Sequence, residues 1–260
     1  MQKDLRLSVS KTKTFIDCPK KFKFSYVEKL PRKEWDYHVL GKFCHKVLED
    51  FHIAYLASCT DPYNITMNKC FKAAQAEYTT MTAEMTKEAF GMLHEYLKIV
   101  SQDKKNNLVA NVMSVEKNFE VKVGDHLVLN GMIDRIQLDP DGVIHVCDYK
   151  TSKNKKYLAN DFFQLLTYAY VIISENPDLD KVRASYIMLR HNFEYITKDF
   201  SIAEIMAVES KYLKYAETIN TEEIYQANPT ALCSYCDYLD LCPEGKSKSF
   251  GKPFYGEVAW

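Results

Sequence analysis

Two apolar-rich runs meet at Asp139-Pro140-Asp141-Gly142, and this junction constrains the chain more than any other stretch. Proline presets the first turn angle and glycine accepts a left-handed one, so the segment suits a three-residue hairpin loop with Asp139 paired to Val143. Counting back sets Leu138 opposite Ile144, Ile136 opposite Val146, Asp134 opposite Asp148 and Met132 opposite Lys150. These pairs share one face because side chains alternate with period two. The face is apolar near the turn and carries two carboxylates and an ammonium at its far end. Like charges directly opposite repel. Either a cation lies between Asp134 and Asp148, or the hairpin end is solvated and Lys150 balances it. A hard divalent ion suits the first alternative, since Mg²⁺ takes one or two carboxylates together with waters and phosphate oxygens. A slip of one residue would put the two carboxylates on opposite faces.

The 260 residues, 47% hydrophobic and 27% charged, can bury a core as one large domain or two small ones. The formal net charge of -1 gives no global attraction to nucleic acid, so such a partner would need local basic patches. No apolar run reaches the roughly 18 to 20 residues of a membrane span, and Met-Gln-Lys-Asp-Leu-Arg is unlike a secretory signal. A soluble, intracellular (cytoplasmic) protein with no membrane partner is expected.

In chain order, Ser8 or Ser10 caps a short helix that breaks at Cys18-Pro19 before a second one. Lys11, Lys13, Lys20, Lys21 and Lys23, interleaved with aromatics, read either as a phosphate-contacting surface or as a solvated face. Phe43, Val47, Phe51 and Tyr55 repeat at helical spacing from Tyr37 to about Leu56, with Gly41, His45, Leu48 and His52 along a neighbouring stripe. His45 is read as either a structural residue or a ligand. Helices continue over 60–105, broken at Asp61-Pro62, with Asp103 to Asn107 as a polar connector. A strand over 112–123 has Glu116 near its start, turns at Gly124-Asp125 and leads into Leu127 to Leu138. Lys150, Lys153, Lys155 and Lys156 form a second basic cluster. Asn160 or Asp161 caps a helix from Phe162 to Ser174, on which Gln164 and Tyr168 share a face. A second hairpin, Ala184 to Leu189 and Phe193 to Lys198, turns at His191-Asn192. The capping box Ser201 to Glu204 opens a helix to about Ile219, with Ile205, Val208, Tyr212 and Ile219 facing inward. This order predicts an α/β fold, a mixed sheet flanked by helices.

Of the eight cysteines, Cys44, Cys59, Cys70 and Cys147 stand singly in apolar or helical surroundings and read as small buried hydrophobes. Cys233, Cys236 and Cys242, spaced C-x2-C-x5-C and followed by Pro243, instead read as ligands of zinc or an iron-sulfur cluster. Both usually want four thiolates. Cys18, at a helix break in a similar Cys-Pro context, is the best upstream candidate, and closure would clasp the two ends of the chain.

Taken together, these pieces resemble the RecB-like nucleases of the PD-(D/E)XK superfamily, especially the iron-sulfur members: the AddB-type nuclease domain and the CRISPR-associated exonucleases that process spacer precursors. The residues carrying the resemblance are Ser10 with Cys18-Pro19, Gly41 to His45 with Leu48-Glu49, Gly131 to Arg135, Asp148 to Thr151, Gln164 to Tyr168, and Cys233, Cys236 and Cys242. The resemblance implies a restriction-endonuclease-like fold: one nuclease domain over 1–260, with a mainly helical part (1–110), a catalytic sheet and helix (111–200) and a C-terminal helix and cysteine cluster (201–260). It implies Asp134, Asp148 and Lys150 as catalytic residues. Mg²⁺ or Mn²⁺ would be held by His45, Asp134, Asp148 and the Tyr149 carbonyl. Gln164 and Tyr168 would hold the substrate strand, and Cys18, Cys233, Cys236 and Cys242 would ligate a structural [4Fe-4S] cluster. Asp148 stands where many superfamily members have Glu. Glu116 resembles a family acidic position but is given no role. The implied activity is metal-dependent DNA exonuclease action on single strands or free ends, with a helicase or recombination partner. A non-catalytic DNA-binding or partner-docking module on the same fold is the alternative, and an iron-sulfur redox protein a third reading.

Overall fold

The structure, a computed structural model, describes residues 4–102, 107–156, 158 and 161–248. Its helices are α1 (Val9–Asp17), α2 (Pro19–Phe22), α3 (Asp36–Leu56), α4 (Tyr63–Glu77), α5 (Ala83–Gln102), α6 (Phe163–Glu175), α7 (Ile202–Thr221) and α8 (Pro243–Lys248). Its strands are β1 (Leu5–Leu7), β2 (Val112–Val123), β3 (Leu127–Leu138), β4 (Ile144–Lys150), β5 (Lys181–Met188) and β6 (Glu194–Ser201). The chain divides into two compact units, neither continuous in sequence. Among the described residues, one unit gathers 34–119 and 132–206, and the other 4–33, 120–131 and 207–248.

The first of these units is built on a mixed sheet. β3 pairs antiparallel with β4, β4 parallel with β5, and β5 antiparallel with β6. The hairpin is the expected one: Asp139 N–H reaches Val143 O at 3.0 Å, and Gly142, at φ +78, donates to Asp139 O at 2.8 Å. Leu138↔Ile144 and Ile136↔Val146 pair as predicted, and the ladder runs on to Arg135↔Cys147. Asp134 lies one residue beyond that last pair. The face near the turn carries the expected apolar residues, Ile136 and Val146 buried and Leu138 44% exposed.

Parallel β4 and β5 require a crossover, and α6 supplies it, packed against both strands. Strand alternation then sorts β4 between two environments. Cys147 and Tyr149 join the core formed with α3, α4 and α5, where Phe43, Phe51, Phe71 and Tyr96 meet edge to face or stack with neighbouring rings. Asp148 and Lys150 point the other way, toward Gln164 on α6. Asp161 Oδ1 accepts the Phe163 N–H at 3.2 Å, although the N-cap position itself is Phe162. Asn160 and residues 103–106 lie outside the described residues. The Ser201–Glu204 box closes reciprocally, with Ser201 N–H to Glu204 Oε2 at 3.0 Å and Glu204 N–H to Ser201 Oγ at 3.4 Å.

In the other unit β1 runs parallel to the start of β3, Leu5↔Leu127 to Leu7↔Leu129. Ser8 caps α1, its hydroxyl accepting the Lys11 N–H at 3.1 Å. The break at Cys18 falls where predicted, but the second helix widens at once into a π-turn over Lys23–Val27. Two lysines of this basic stretch are ion-paired, Lys20 with Glu244 and Lys23 with Glu28. No helix among the described residues is long and apolar enough to cross a membrane.

Candidate functional site

Three strands and two helices of the sheet-bearing unit bring polar groups to the end of β4 farthest from the hairpin turn. α3 approaches this end closely: a Cβ on Gly41 would sit 3.4 Å from Thr151 Oγ1. His45, one helical turn beyond Gly41, thereby reaches two partners. Its Nε2 is 3.0 Å from the Tyr149 carbonyl and its Nδ1 3.4 Å from Asp134 Oδ2. A carbonyl only accepts, so Nε2 carries the proton, and in the neutral ring Nδ1 turns a lone pair toward Asp134. Asp134 Oδ2 also accepts the Tyr149 N–H at 2.7 Å, so the carboxylate continues the strand's hydrogen bonding where the β3–β4 ladder stops.

Glu116 on β2 joins them. Ligand atoms of His45, Glu116 and Asp134 lie within 4.8 Å of one another. Burial pushes Asp134 up to about 6, the charge of Asp148 adding to this while His45, Lys150 and the Tyr149 N–H oppose it. Burial and then the charge of Asp134 push Glu116 up to about 7. Carboxylates that crowd one another in this way relax when a cation enters.

Asp148 forms a second chain of contacts. Lys150 Nζ stands 2.5 Å from Asp148 Oδ2, Gln164 Nε2 donates to Asp148 Oδ1 at 2.6 Å, and Gln164 Oε1 accepts from Lys150 Nζ at 3.0 Å. Gln164 Nε2 also lies 2.8 Å from the Tyr168 hydroxyl, and Lys150 Nζ sits 5.4 Å from the Tyr186 ring centre. Asp148 Oδ2 is buried and, although ion-paired with Lys150, accepts no hydrogen bond of normal geometry. The imidazole and two carboxylates of His45, Glu116 and Asp134, with the buried Asp148 carboxylate in electrostatic reach of both acids, form a donor set that a hard divalent cation fits. The structure therefore brings His45 and Asp134 together with Glu116, and Asp148 and Lys150 together with Gln164 and Tyr168. Glu116 had no assigned role in the sequence.

Behind this end lies a buried polar patch that the residue pattern did not announce. Arg135 is fully buried, donating to Tyr195 Oη at 2.7 Å, Tyr149 Oη at 3.1 Å and Cys147 Sγ at 3.6 Å. Cys147 is thus buried as expected, but against a guanidinium and not among purely apolar neighbours. Cys44 and Cys70 are buried, and Cys59 is only partly so.

In the other unit, Cys18, Cys233, Cys236 and Cys242 border one cavity together with Lys20 and Lys21. Cys18 caps α2 and accepts the Lys21 N–H at 3.5 Å. Cys242, also followed by proline, accepts the Gly245 N–H at 3.3 Å, and Cys233 accepts from Thr230 N–H at 3.3 Å. Burial raises Cys236, against a backbone N–H from Tyr238, and raises Cys242. Four sulfurs around one cavity, each within reach of a backbone N–H, fit a bound metal or cluster.

Known proteins agree with this architecture. A sequence model described as the PD-(D/E)XK nuclease superfamily matches residues 6–243. The chain is 25% identical over 225 residues to one subunit of the ATP-dependent helicase/deoxyribonuclease of Streptococcus mutans, covering 81% of this chain and 21% of that protein. It is 24% identical to the corresponding subunit from Streptococcus pyogenes serotype M1, covering 63% of this chain and 16% of that protein. The chain thus spans about a fifth of the length of these curated relatives. A solved structure of a candidate exonuclease from Eubacterium rectale superposes with a TM-score of 0.54 at 10% identity, over 89% of this chain and 86% of that one. At such identity the likeness is one of fold.

Proposed function

The chain belongs to the PD-(D/E)XK nuclease superfamily, and on that basis we propose that it is a divalent-metal-dependent DNA exonuclease acting on single strands or free ends in recombination, repair or DNA processing. The observation that carries the reading is that Asp134, held by His45 and the Tyr149 N–H, lies within reach of the charges of Asp148 and Lys150, which Gln164 joins. The streptococcal relatives are helicase/deoxyribonuclease subunits, which supports DNA as substrate and a helicase subunit as partner.

His45, Asp134, Asp148 and the Tyr149 carbonyl would hold Mg²⁺ or Mn²⁺. The ion, when bound, supplies a Lewis acid for the phosphate and lowers the cost of deprotonating water. The chain's own groups do the rest. The backbone of Tyr149 orients Asp134 through its N–H and His45 through its carbonyl. Gln164 uses both ends of its amide to fix Asp148 against Lys150. The Lys150 ammonium, with three donors and two of its neighbours in place, is free to offer a third toward a phosphate oxygen or an attacking water. Gln164, bonded to Lys150 and Asp148 and lying against the Tyr168 hydroxyl, stands next to it, in keeping with a role for this pair in holding the substrate strand. Attack on the backbone needs no reading of bases.

The four cysteines of the other unit would carry a [4Fe-4S] cluster in a structural role, the backbone N–H groups aimed at their sulfurs supporting ligation. Zinc is the competing occupant.

The reading is tested by Mg²⁺- or Mn²⁺-dependent release of nucleotides from 5′- and 3′-labelled single- and double-stranded DNA. Asp148→Ala and Lys150→Ala are each expected to lower the rate by ~10³-fold or more while leaving the fold intact. Wild-type rates in both variants would remove these residues from the reaction.

A further inference from the structure

Seven non-glycine residues of the described chain have positive φ, and six of them (Lys29, Ser58, Asn107, Asn192, Phe193 and Tyr225) lie outside the strands, in turns, bends or irregular segments. Glu116 is the exception. It takes φ +44 in the interior of the twelve-residue strand β2. A left-handed conformation brings Cβ close to the following carbonyl, so glycine or asparagine is the ordinary occupant of such a position.

The strand's own pattern records what this kink does. Val112 and Phe119 are both buried, while Met113 and Asn118 are both exposed. Val112 and Phe119 are an odd number of positions apart, as are Met113 and Asn118, so an unbroken period of two would set the members of each pair on opposite faces. The parity is restored by one inserted residue between them, which is a β-bulge with its left-handed position at Glu116. Bulges re-aim side chains, and this one aims a carboxylate. Its ligand oxygen lies within 4.8 Å of ligand atoms of His45 and Asp134. The neighbourhood is otherwise hostile to a negative charge. Asp134, Glu49 and Asp148 all oppose it, and His45 is the one principal neighbour that favours it. A bulge that only twisted the strand would be better served by glycine, and would have no use for an acid set close to Asp134 and within the field of two more carboxylates.

We infer that Glu116 is a protein ligand of the divalent cation, delivered by the left-handed bulge of β2 to the side of the site formed by His45 and Asp134. This rests on the metal-dependent reading given above and adds to its ligand set a residue contributed by a strand distortion.

The test is Mn²⁺ binding to the full chain, measured by titration calorimetry and by the electron paramagnetic resonance signal of free Mn²⁺, without DNA. Glu116→Gln is expected to weaken Mn²⁺ binding at least ~10-fold. Glu116→Gly should do the same while melting, in EDTA, at or above the wild-type temperature, because glycine accepts the backbone angle without strain. Glu49→Gln, one turn along α3 from His45, should bind Mn²⁺ within ~3-fold of wild type. Wild-type affinity in Glu116→Gln would overturn the inference. Asp134→Asn separates the two levels: if it loses Mn²⁺ while Glu116→Gln keeps it, the inference alone fails, and if both keep it, the metal site fails with it. A stabilised Glu116→Gly that no longer binds Mn²⁺ would support it most directly, since a merely structural residue could not yield that pair of results.

Discussion

Tyr149 donates its backbone N–H to Asp134 Oδ2 at 2.7 Å, and its carbonyl lies 3.0 Å from His45 Nε2. Two groups of the cluster are therefore set by the main chain of a single residue in the core of the sheet. Main-chain bonds survive every substitution at that residue that keeps the N–H, which excludes only proline. The site's geometry is thus tied to the register of β4, which the hairpin turn at Asp139–Gly142 fixes.

The Tyr149 side chain does a separate job, accepting from Arg135 Nη1 at 3.1 Å, and the Arg135 Nε is buried without a partner. Tyr149→Phe takes an acceptor from a guanidinium that has no carboxylate beside it among its hydrogen-bond partners. A loss of about 1–3 kcal/mol in denaturant unfolding is expected. Mn²⁺ affinity should stay within ~3-fold of wild type, because both backbone bonds persist. A large loss of affinity at unchanged stability would show that the ring, and not the backbone, holds the site.

Metal-free stability should fall as pH rises through the site's titration. Asp134 and Glu116 have ordinary values of 3.8 and 4.5 and are held at about 6 and about 7 in the fold. Between those limits the native state binds more protons than the unfolded chain, so raising pH favours unfolding. A divalent cation favours the charged forms, and its stabilising effect should grow over the same range. Melting temperatures from pH 4.5 to 8, in EDTA and in Mn²⁺, give the difference directly. A Mn²⁺ increment that did not change with pH would contradict these raised values.

Gln164 is the joint between Asp148 and Lys150, and Tyr168 braces it from behind at 2.8 Å. Gln164→Leu frees both partners, and the cleavage rate is expected to fall ~10–100-fold, in the range seen when groups that orient ligands are lost. Tyr168→Phe removes only the brace and should cost less. Equal losses in the two variants would mean that Tyr168 itself meets the substrate.

Much of this was legible because turn chemistry and periodicity act locally. Pro140 and Gly142 fix the loop, the loop fixes the register, and the register puts Asp134 and Asp148 at one end of the sheet. The bounds of β2 and β3 and the α3 stripe followed from alternation and helical spacing in the same way. What the residues hid was decided at a distance or by a single backbone angle. Nothing about a glutamate announces a left-handed φ; Glu116 resembled a family acidic position, but its placement shows only in the change of parity between Val112 and Phe119. Gln164 and Tyr168 were read as sharing a face, but their union with Asp148 and Lys150 depends on how α6 crosses the sheet. Cys147 was read as an apolar filler although the hairpin register sets Arg135 opposite it; what the register does not reveal is that the guanidinium stays buried there, on the hydroxyls of Tyr149 and Tyr195.

The cysteine cluster yields the last prediction. Cys18 and Cys242 each precede a proline and each accept a backbone N–H from three residues on, Lys21 for one and Gly245 for the other. The same short motif thus presents a thiol from each end of this unit, with Cys233 and Cys236 bordering the same cavity. Lys20 and Lys21 beside it would offset the negative charge of a thiolate-bound group. Anaerobically purified protein is expected to be brown, with broad visible absorbance and about four irons per chain, the stoichiometry of a four-thiolate cubane. Cys18→Ser should lose colour and iron as completely as Cys236→Ser, although the two residues are far apart in sequence. Each should also lower the melting temperature, since a group bound only by the folded chain adds its binding free energy to folding. Colourless protein loaded with zinc would assign the site to the other metal. Full iron in Cys18→Ser would break the clasp between the two Cys-Pro motifs and leave the three C-terminal cysteines to find their fourth ligand elsewhere.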